Sequence, residues 1–335
     1  MDLFQELAKY RAESLQFVSD DARGLQAIIA IHSTRRGPAF GGIRTLSYTN
    51  VNAAVTDALR LAQHMSYKAA LADLPAGGGK IVVIKHAKMD RTLAFMALGR
   101  AIERLGGSFF TGLDTGTTYE DLENVARSTK QVASHLDFGK ATARGLVAAL
   151  KAALFFADSG KSFKGRVIAI QGLGSVGGDL ARMLVEAKAR VLVADINEDL
   201  VKKTCKELGC ERVKPADIAG VECDAFAPCA LGGVLTPQAV KKLKCLVVAG
   251  SANNQLASPE AGKLLFEREV TYVPDFVANA GALIKGVLEH QAGKEVGFDV
   301  VDRVGESTRL VLTRAKQEKR PPSEIAERMA LERLG

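Results

Sequence analysis

Two apolar periods alternate along the first half of this chain. The runs "LQAIIAIHS" (25–33), "KIVVIKH" (80–86) and "SFFTGLD" (108–114) are short and apolar, and they read as strands. Between them the spacing opens to that of helices. "NAAVTDALRLAQHMSYKAA" (52–70) places Val55, Leu59, Ala62 and Met65 on one face. "RTLAFMALGRAIERLG" (91–106) stops at Gly106, and "TYEDLENVARSTK" (118–130) has Thr117 or Thr118 as its N-cap. The opening "MDLFQELAKYRAESLQF" mixes acids and bases at helical spacing, so it reads as an amphipathic helix rather than a signal peptide. "GPAFGGIR" (37–44) reads as a glycine-rich turn.

A helix over "KATARGLVAALKAALFFA" (140–157) leads into a second half with a different rhythm. There "RVIAIQ" (166–171), "RVLVAD" (190–195), "CDAFAPC" (223–229), "CLVVAG" (245–250) and "TYVPD" (271–275) read as strands with helices between them. That alternation predicts a parallel sheet covered on both faces. A chain of 335 residues is long for one core, so two α/β domains are expected, separated by a cleft. Residues 1–137 form the first and 138–304 the second, with helices of about 305–335 packing back on the first.

Composition narrows the function classes. Apolar residues make up 47% and charged residues 25%, ordinary for a globular protein. The net charge of +7 is spread among acids, with no basic run, no Trp and few Tyr, so nucleic acid is not an expected partner. No apolar stretch reaches the length of a membrane span. The five cysteines lie between Cys205 and Cys245 without a C-x-x-C pair or a histidine among them. No metal site or disulfide framework is expected, and reduced thiols point to the cytoplasm.

"GLGSVG" follows one apolar run and opens a helix. Gly172, Gly174 and Gly177, with Ser175 and Val176 between them, form a G-x-G-x-x-G turn over which a pyrophosphate would sit. Asp195 ends the next strand, 18 residues after Gly177, and suits the hydroxyls of an adenosine ribose. Ile196 and Asn197 follow with no arginine close by, so NAD is the expected cofactor rather than NADP.

A nicotinamide cofactor requires a partner site, and the first half offers one. Lys68 stands at a helix end, Lys80 at a strand start behind Gly77, Gly78 and Gly79, and Asp114 at a strand end. Such boundaries face clefts. The motifs "GPAFGGIRTLSY", "DALRLAQHMSYKAALADLPAGGGK", "TGLDTGTTYEDL", "QGLGSVG", "APCALGGVL", "GSANNQL" and "PDFVANAGALI" together resemble the dehydrogenases of glutamate, leucine, phenylalanine and valine, most of all the leucine and phenylalanine branch.

The resemblance implies roles by position. Lys80 would be the general base, Lys68 the partner of the substrate carboxylate and Asp114 a proton shuttle, with Gly41, Gly42 and Met65 beside the substrate. Thr142, Cys229, Ala230, Ala252, Asn253, Asn254 and Asn279 would line the nucleotide, Asn279 meeting the substrate as well. The glycines would let substrate approach, and Lys68 would help to lower the pKa of Lys80. Glutamate-specific members carry a lysine where this chain has Phe40, so a side-chain carboxylate would be buried without a partner. Phe40, Leu113, Leu283 and Gly286 imply an apolar pocket, although Lys285 stands where an asparagine is common. The expected reaction is the reversible deamination of leucine, valine or isoleucine to a 2-oxo acid and ammonia. Aromatic or unusual amino acids are the alternative substrates, and a non-catalytic nucleotide-binding paralogue is the alternative of another class. A homo-oligomer, dimer or larger, is the expected assembly.

Overall fold

The structure is a computed structural model that describes residues 1–160 and 162–335. The chain divides into two compact units. Unit 1 comprises residues 1–136, 286–291 and 330–335, and unit 2 comprises 137–285 and 292–329.

Unit 1 opens with α1 (Leu3–Tyr10), whose first free N–H groups are met by the Asp2 carboxylate at 3.0 and 3.2 Å. The expected helix does not continue. Residues Ser14–Asp20 form strand β1, antiparallel to β2 (Leu25–Ser33). Only Val18 of β1 is buried, as befits an edge strand, and one inward residue leaves too faint an alternation to be read.

The sheet also contains β3 (Ala39–Leu46), β4 (Gly77–Ile84) and β5 (Phe109–Leu113), in the order β1-β2-β4-β3-β5. β4 runs antiparallel to β2 and parallel to β3, and β3 runs parallel to β5. Helix α2 (Val51–Leu71), capped by Asn50, packs Val55, Leu59 and Ala62 against Ile28, Ala30 and Val82. Each fully buried aliphatic side chain of that size contributes roughly 1.5–3 kcal/mol. Helices α3 (Arg91–Glu103) and α4 (Tyr119–Ala126) pack together. Thr118 is the cap of α4, in a reciprocal box with Asp121.

The glycine-rich stretch expected as a turn is strand, and the strand expected to start at Lys80 begins three residues earlier. "AFGGIR" lies within β3, and Gly77, Gly78 and Gly79 open β4. Positive φ is not their reason, since none of the three adopts it. A methyl group on Gly77 would fall on the Ser33 carbonyl, on Gly78 on Ser66 of α2, and on Gly79 on the Phe109 ring. The glycines let β4 lie flush between a helix and its neighbouring strands.

Unit 2 is a parallel sheet. Helix α5 (Phe138–Asp158) precedes β6 (Val167–Gln171), and α6 (Ser175–Glu186), β7 (Arg190–Ala194), α7 (Glu198–Leu208) and β8 (Glu211–Arg212) follow. Next come β9 (Ala225–Pro228), α8 (Pro237–Lys242), β10 (Val247–Val248), α9 (Pro259–Glu267), β11 (Thr271–Tyr272) and α10 (Asp275–Ala278). The order is β11-β10-β9-β6-β7-β8, the doubly wound arrangement expected from the alternating pattern.

The tail departs from expectation. Helix α11 (Gly281–Ala292) passes from one unit into the other, and α12 (Val304–Glu318) packs on α5 within unit 2. Of α13 (Pro322–Leu334), only the end falls in unit 1. There Arg333 donates to the carbonyls of Ala70 and Leu71 at 2.8 and 2.9 Å, closing the C-terminus of α2 where a cation is favoured.

Candidate active site

Lys80 occupies the interior of β4 opposite Ala30 and is 5% exposed. Strand alternation turns it to the same face as Gly78, which abuts α2. Its Nζ lies 2.8 Å from Oδ2 of Asp114, the residue that follows β5. The same oxygen accepts from Nε of Arg44 on β3 at 2.8 Å. Arg44 reaches α2 as well, its Nη1 donating to Asp57 at 3.2 Å, and Tyr48 and Arg60 donate to Asp57 at 2.8 Å each. Three strands and one helix thus place Lys80, Asp114, Arg44 and Asp57 in one buried charge chain.

The electrostatics follow from that packing. Burial pulls the Lys80 ammonium below its ordinary pKa, Asp114 opposes the shift and Arg44 adds to it. Arg44 is thus a cation acting on Lys80 that was not expected. Burial alone would raise Asp114, but Lys80 and Arg44 overcome it and hold the carboxyl well below the usual range. Asp114 is a carboxylate here, able to accept a proton only when a neighbouring cation is discharged.

The other residues expected near the substrate are distributed unevenly. Lys68 and Met65 are half-buried on the C-terminal half of α2, flanking Ser66, the point where the helix meets Gly78 of β4. Gly41 and Gly42 lie in β3, where side chains would strike the Gly79 carbonyl and Leu113–Asp114 respectively. Phe40 is buried, its ring 5.1 Å from Phe110 and 5.4 Å from His290. Leu113 is half-buried beside Asp114. Gly286 has Leu136 at 3.6 Å from where a Cβ would stand, an ordinary contact. Leu283 falls in unit 2. Lys285 is buried, donating to the Val296 carbonyl at 2.6 Å and standing 4.6 Å from the Phe298 ring centre.

Unit 2 carries most of the residues expected to line a nucleotide near the carboxyl ends of its strands. Gly172, at φ 97°, makes the turn, and a side chain on Gly177 would strike the Gly172 carbonyl. Gly174 caps α6 without any side-chain hydrogen bond, and nothing lies within 4 Å of where its Cβ would stand. The N–H groups of Ser175 and Val176 therefore open a helix end with space in front of it, which fits a pyrophosphate. Asp195 accepts from the N–H groups of Leu173 and Asn197 at 2.7 and 2.8 Å, and Ile196 beside it is exposed. The Cys229 N–H donates to the Gln171 carbonyl of β6 at 2.7 Å and the Ala252 N–H to the Pro228 carbonyl of β9 at 3.0 Å, and Ala230 packs against Gly172. Asn279 donates to Ser251 and Asn253 at 3.1 and 2.9 Å, while its buried Oδ1 has no partner among the described residues. That unfilled acceptor also fits a ligand with an amide donor. Asn254 holds φ 53°, its N–H fixed by Asp275, and Thr142 is buried on α5. Among the described residues there is no cluster of metal-binding side chains and no helix long and apolar enough to cross a membrane.

Arg44, Asp57 and Tyr48 were missed as functional candidates. Arg44 stood inside the quoted "FGGIR", two positions past Gly42 and therefore on one strand face with it. Asp57 precedes Lys68 by eleven residues, three helical turns on one face. Reading "GGIR" as a turn hid the first of these alignments.

Residues 12–131 match the family described as Glu/Leu/Phe/Val dehydrogenase, dimerisation domain, and residues 193–334 match Glutamate/Leucine/Phenylalanine/Valine dehydrogenase. The leucine dehydrogenase of Geobacillus stearothermophilus is 41% identical, over 100% of this chain and 94% of that protein. The phenylalanine dehydrogenase of Lysinibacillus sphaericus is 42% identical, over 85% of this chain and 77% of its own length. The crystal structure of L-tryptophan dehydrogenase from Nostoc punctiforme superposes with a TM-score of 0.85 at 35% identity, covering 99% of this chain and 98% of that one. The chain belongs to the Glu/Leu/Phe/Val dehydrogenase family.

Proposed function

We propose that this protein is an NAD-dependent dehydrogenase that reversibly deaminates a hydrophobic L-amino acid of the leucine, valine or isoleucine type. The observation that carries the reading is the buried Lys80–Asp114–Arg44 cluster, with an amine of lowered pKa held 2.8 Å from a carboxylate. A base working near neutral pH needs that shift. NAD rather than NADP is supported by Asp195, whose carboxylate would repel a ribose phosphate.

In the proposed reaction Lys68 and the Gly41–Gly42 backbone hold the substrate carboxylate. A bound nicotinamide dinucleotide supplies the acceptor for the Cα hydride. Lys80, as the free amine, takes a proton from water as it adds to the imino carbon. Asp114 receives that proton from Lys80 and returns it to the leaving amino group, and Lys80, again a free amine, takes the hydroxyl proton as the carbinolamine collapses to the 2-oxo acid and ammonia. Asn279, with its unfilled Oδ1, orients the ligands over unit 2. Phe40 offers no partner for a side-chain carboxylate, which disfavours glutamate.

A second reading, an aromatic substrate, is supported by the likeness to the phenylalanine and L-tryptophan dehydrogenases. A homo-oligomer in the cytoplasm is the proposed working form, supported by the dimerisation-domain description of the N-terminal match and by reduced thiols.

One experiment tests the core of this. Lys80→Ala should abolish turnover of leucine, valine and isoleucine with NAD, while NAD binding by unit 2 persists. Turnover close to that of the parent would remove Lys80 from the chemistry.

A further inference from the structure

Cys223 and Cys245 lie at the amino ends of β9 and β10, opposite the end that carries the nucleotide residues. The paired strands keep one offset throughout: Ala225 faces Val247, Phe226 faces Val248, and the bridge Glu222–Lys244 extends the register below them. The same offset sets Cys223 directly beside Cys245. Backbone bonds bracket the pair, from Cys223 N–H to the Lys244 carbonyl at 3.4 Å and from Leu246 N–H to the Asp224 carbonyl at 3.1 Å. Adjacent strands lie about 4.8 Å apart, inside the roughly 4.4–6.8 Å between Cα atoms that a disulfide requires. The two thiols act on each other electrostatically, and both residues are partly exposed.

We propose that Cys223 and Cys245 are a modification site, forming a reversible intramolecular disulfide when the protein meets a low-molecular-weight disulfide. Attack by Cys245 is one of two equivalent routes. Its thiolate displaces one thiol from the oxidant and forms a mixed disulfide. Cys223 then gives up its proton and attacks the Cys245 sulfur, releasing the second thiol. Two protein thiols and one small disulfide become one protein disulfide and two small thiols, so electrons and protons balance. The bond ties β9 to β10 at their amino ends, remote from Gly172 and Asn279, so it clips the domain without entering the proposed nucleotide site.

The remaining cysteines are placed differently. Burial raises the Cys229, Cys205 and Cys210 thiols; Cys205 lies on α7 and Cys210 just beyond it, so no strand register sets them side by side.

The test treats the native full-length enzyme with oxidised glutathione and measures its intact mass, its free thiols and its non-reduced peptide map. The expected product has lost two hydrogens, about 2 Da, keeps three of its five titratable thiols, yields a Cys223–Cys245 cross-linked peptide and melts at a higher temperature. Dithiothreitol should return all five thiols. Cys223→Ser should instead leave a glutathione adduct at Cys245. Five unchanged thiols, adducts without the mass loss, or a cross-link between any other cysteines would overturn the proposal, and the peptide map of the unsubstituted protein decides even if the serine variant fails to fold.

Discussion

Gly79→Ala is the sharpest test of how the strand positions the amine. Gly79 immediately precedes Lys80 in β4, and an added Cβ would stand 2.4 Å from Cε2 of Phe109 and 2.9 Å from the Ala30 carbonyl. Phe109 is fully buried, and Ala30 is the register partner of Lys80, so neither neighbour has room to withdraw. Restoring ordinary contact, about 3.4 Å or more, therefore displaces β4 by about 1 Å, and Lys80 moves with it. Overpacking of this kind costs about 1–3 kcal/mol. In a domain of this size each kcal/mol lowers Tm by roughly 2–4 °C. A 1 Å misplacement of a reacting group costs about a hundredfold in rate. The assay follows NADH absorbance for kcat/KM with leucine, beside thermal melting and NAD affinity. The expected variant is folded, melts several degrees lower, binds NAD normally and has lost about two orders of magnitude in kcat/KM. A Gly79→Ala protein with the parental Tm and rate would refute the close-packing account of the glycines. Gly286→Ala, whose new methyl group meets Leu136 at 3.6 Å, is the matched control and should fold unchanged.

Four further outcomes follow from the same geometry. The free amine of Lys80 is the active form, so kcat/KM should rise with pH along an acid limb lying below the ordinary lysine value of 10.5. Arg44→Gln removes a cation that lowers Lys80 and should shift that limb to higher pH, whereas Asp57→Asn removes an anion that raises it and should shift the limb to lower pH. Limbs moving the same way in both variants would mean that the network is only structural. Lys68→Ala should chiefly raise KM for the amino acid, and an unchanged KM would place the carboxylate elsewhere. Asp195→Asn keeps an acceptor for the Leu173 N–H but discards the charge, so NAD affinity should fall by about 10–100-fold while NADP gains on it, and an unaltered NAD-to-NADP ratio would remove Asp195 from cofactor selection.

What could be read from the sequence was what depends on neighbours in sequence. The Thr118 cap needs only Asp121 three residues on, and the Gly172 turn needs only the strand before it and the helix after it. Lys80 and Asp114 were found because each stands where an apolar run begins or ends. Gly41 and Gly42 were misread for the opposite reason: glycine by itself signals a turn, whereas here its use is set by Gly79, Leu113 and Asp114, all remote in sequence. The same holds for the electrostatics. Arg44 and Asp114 are 70 residues apart, and their contact exists because β3 lies between β4 and β5, an order that apolar periodicity does not specify. Yet a charged side chain within an otherwise apolar strand is itself a signal, because burying it alone would cost several kcal/mol. Arg44 in "GGIRTL" had to meet carboxylates, and strand-end or helix-face aspartates were the groups able to reach it. Reading each buried-looking charge as a demand for a partner would have joined Arg44, Asp57 and Asp114 before the fold was known, and with them the cation that tunes the base.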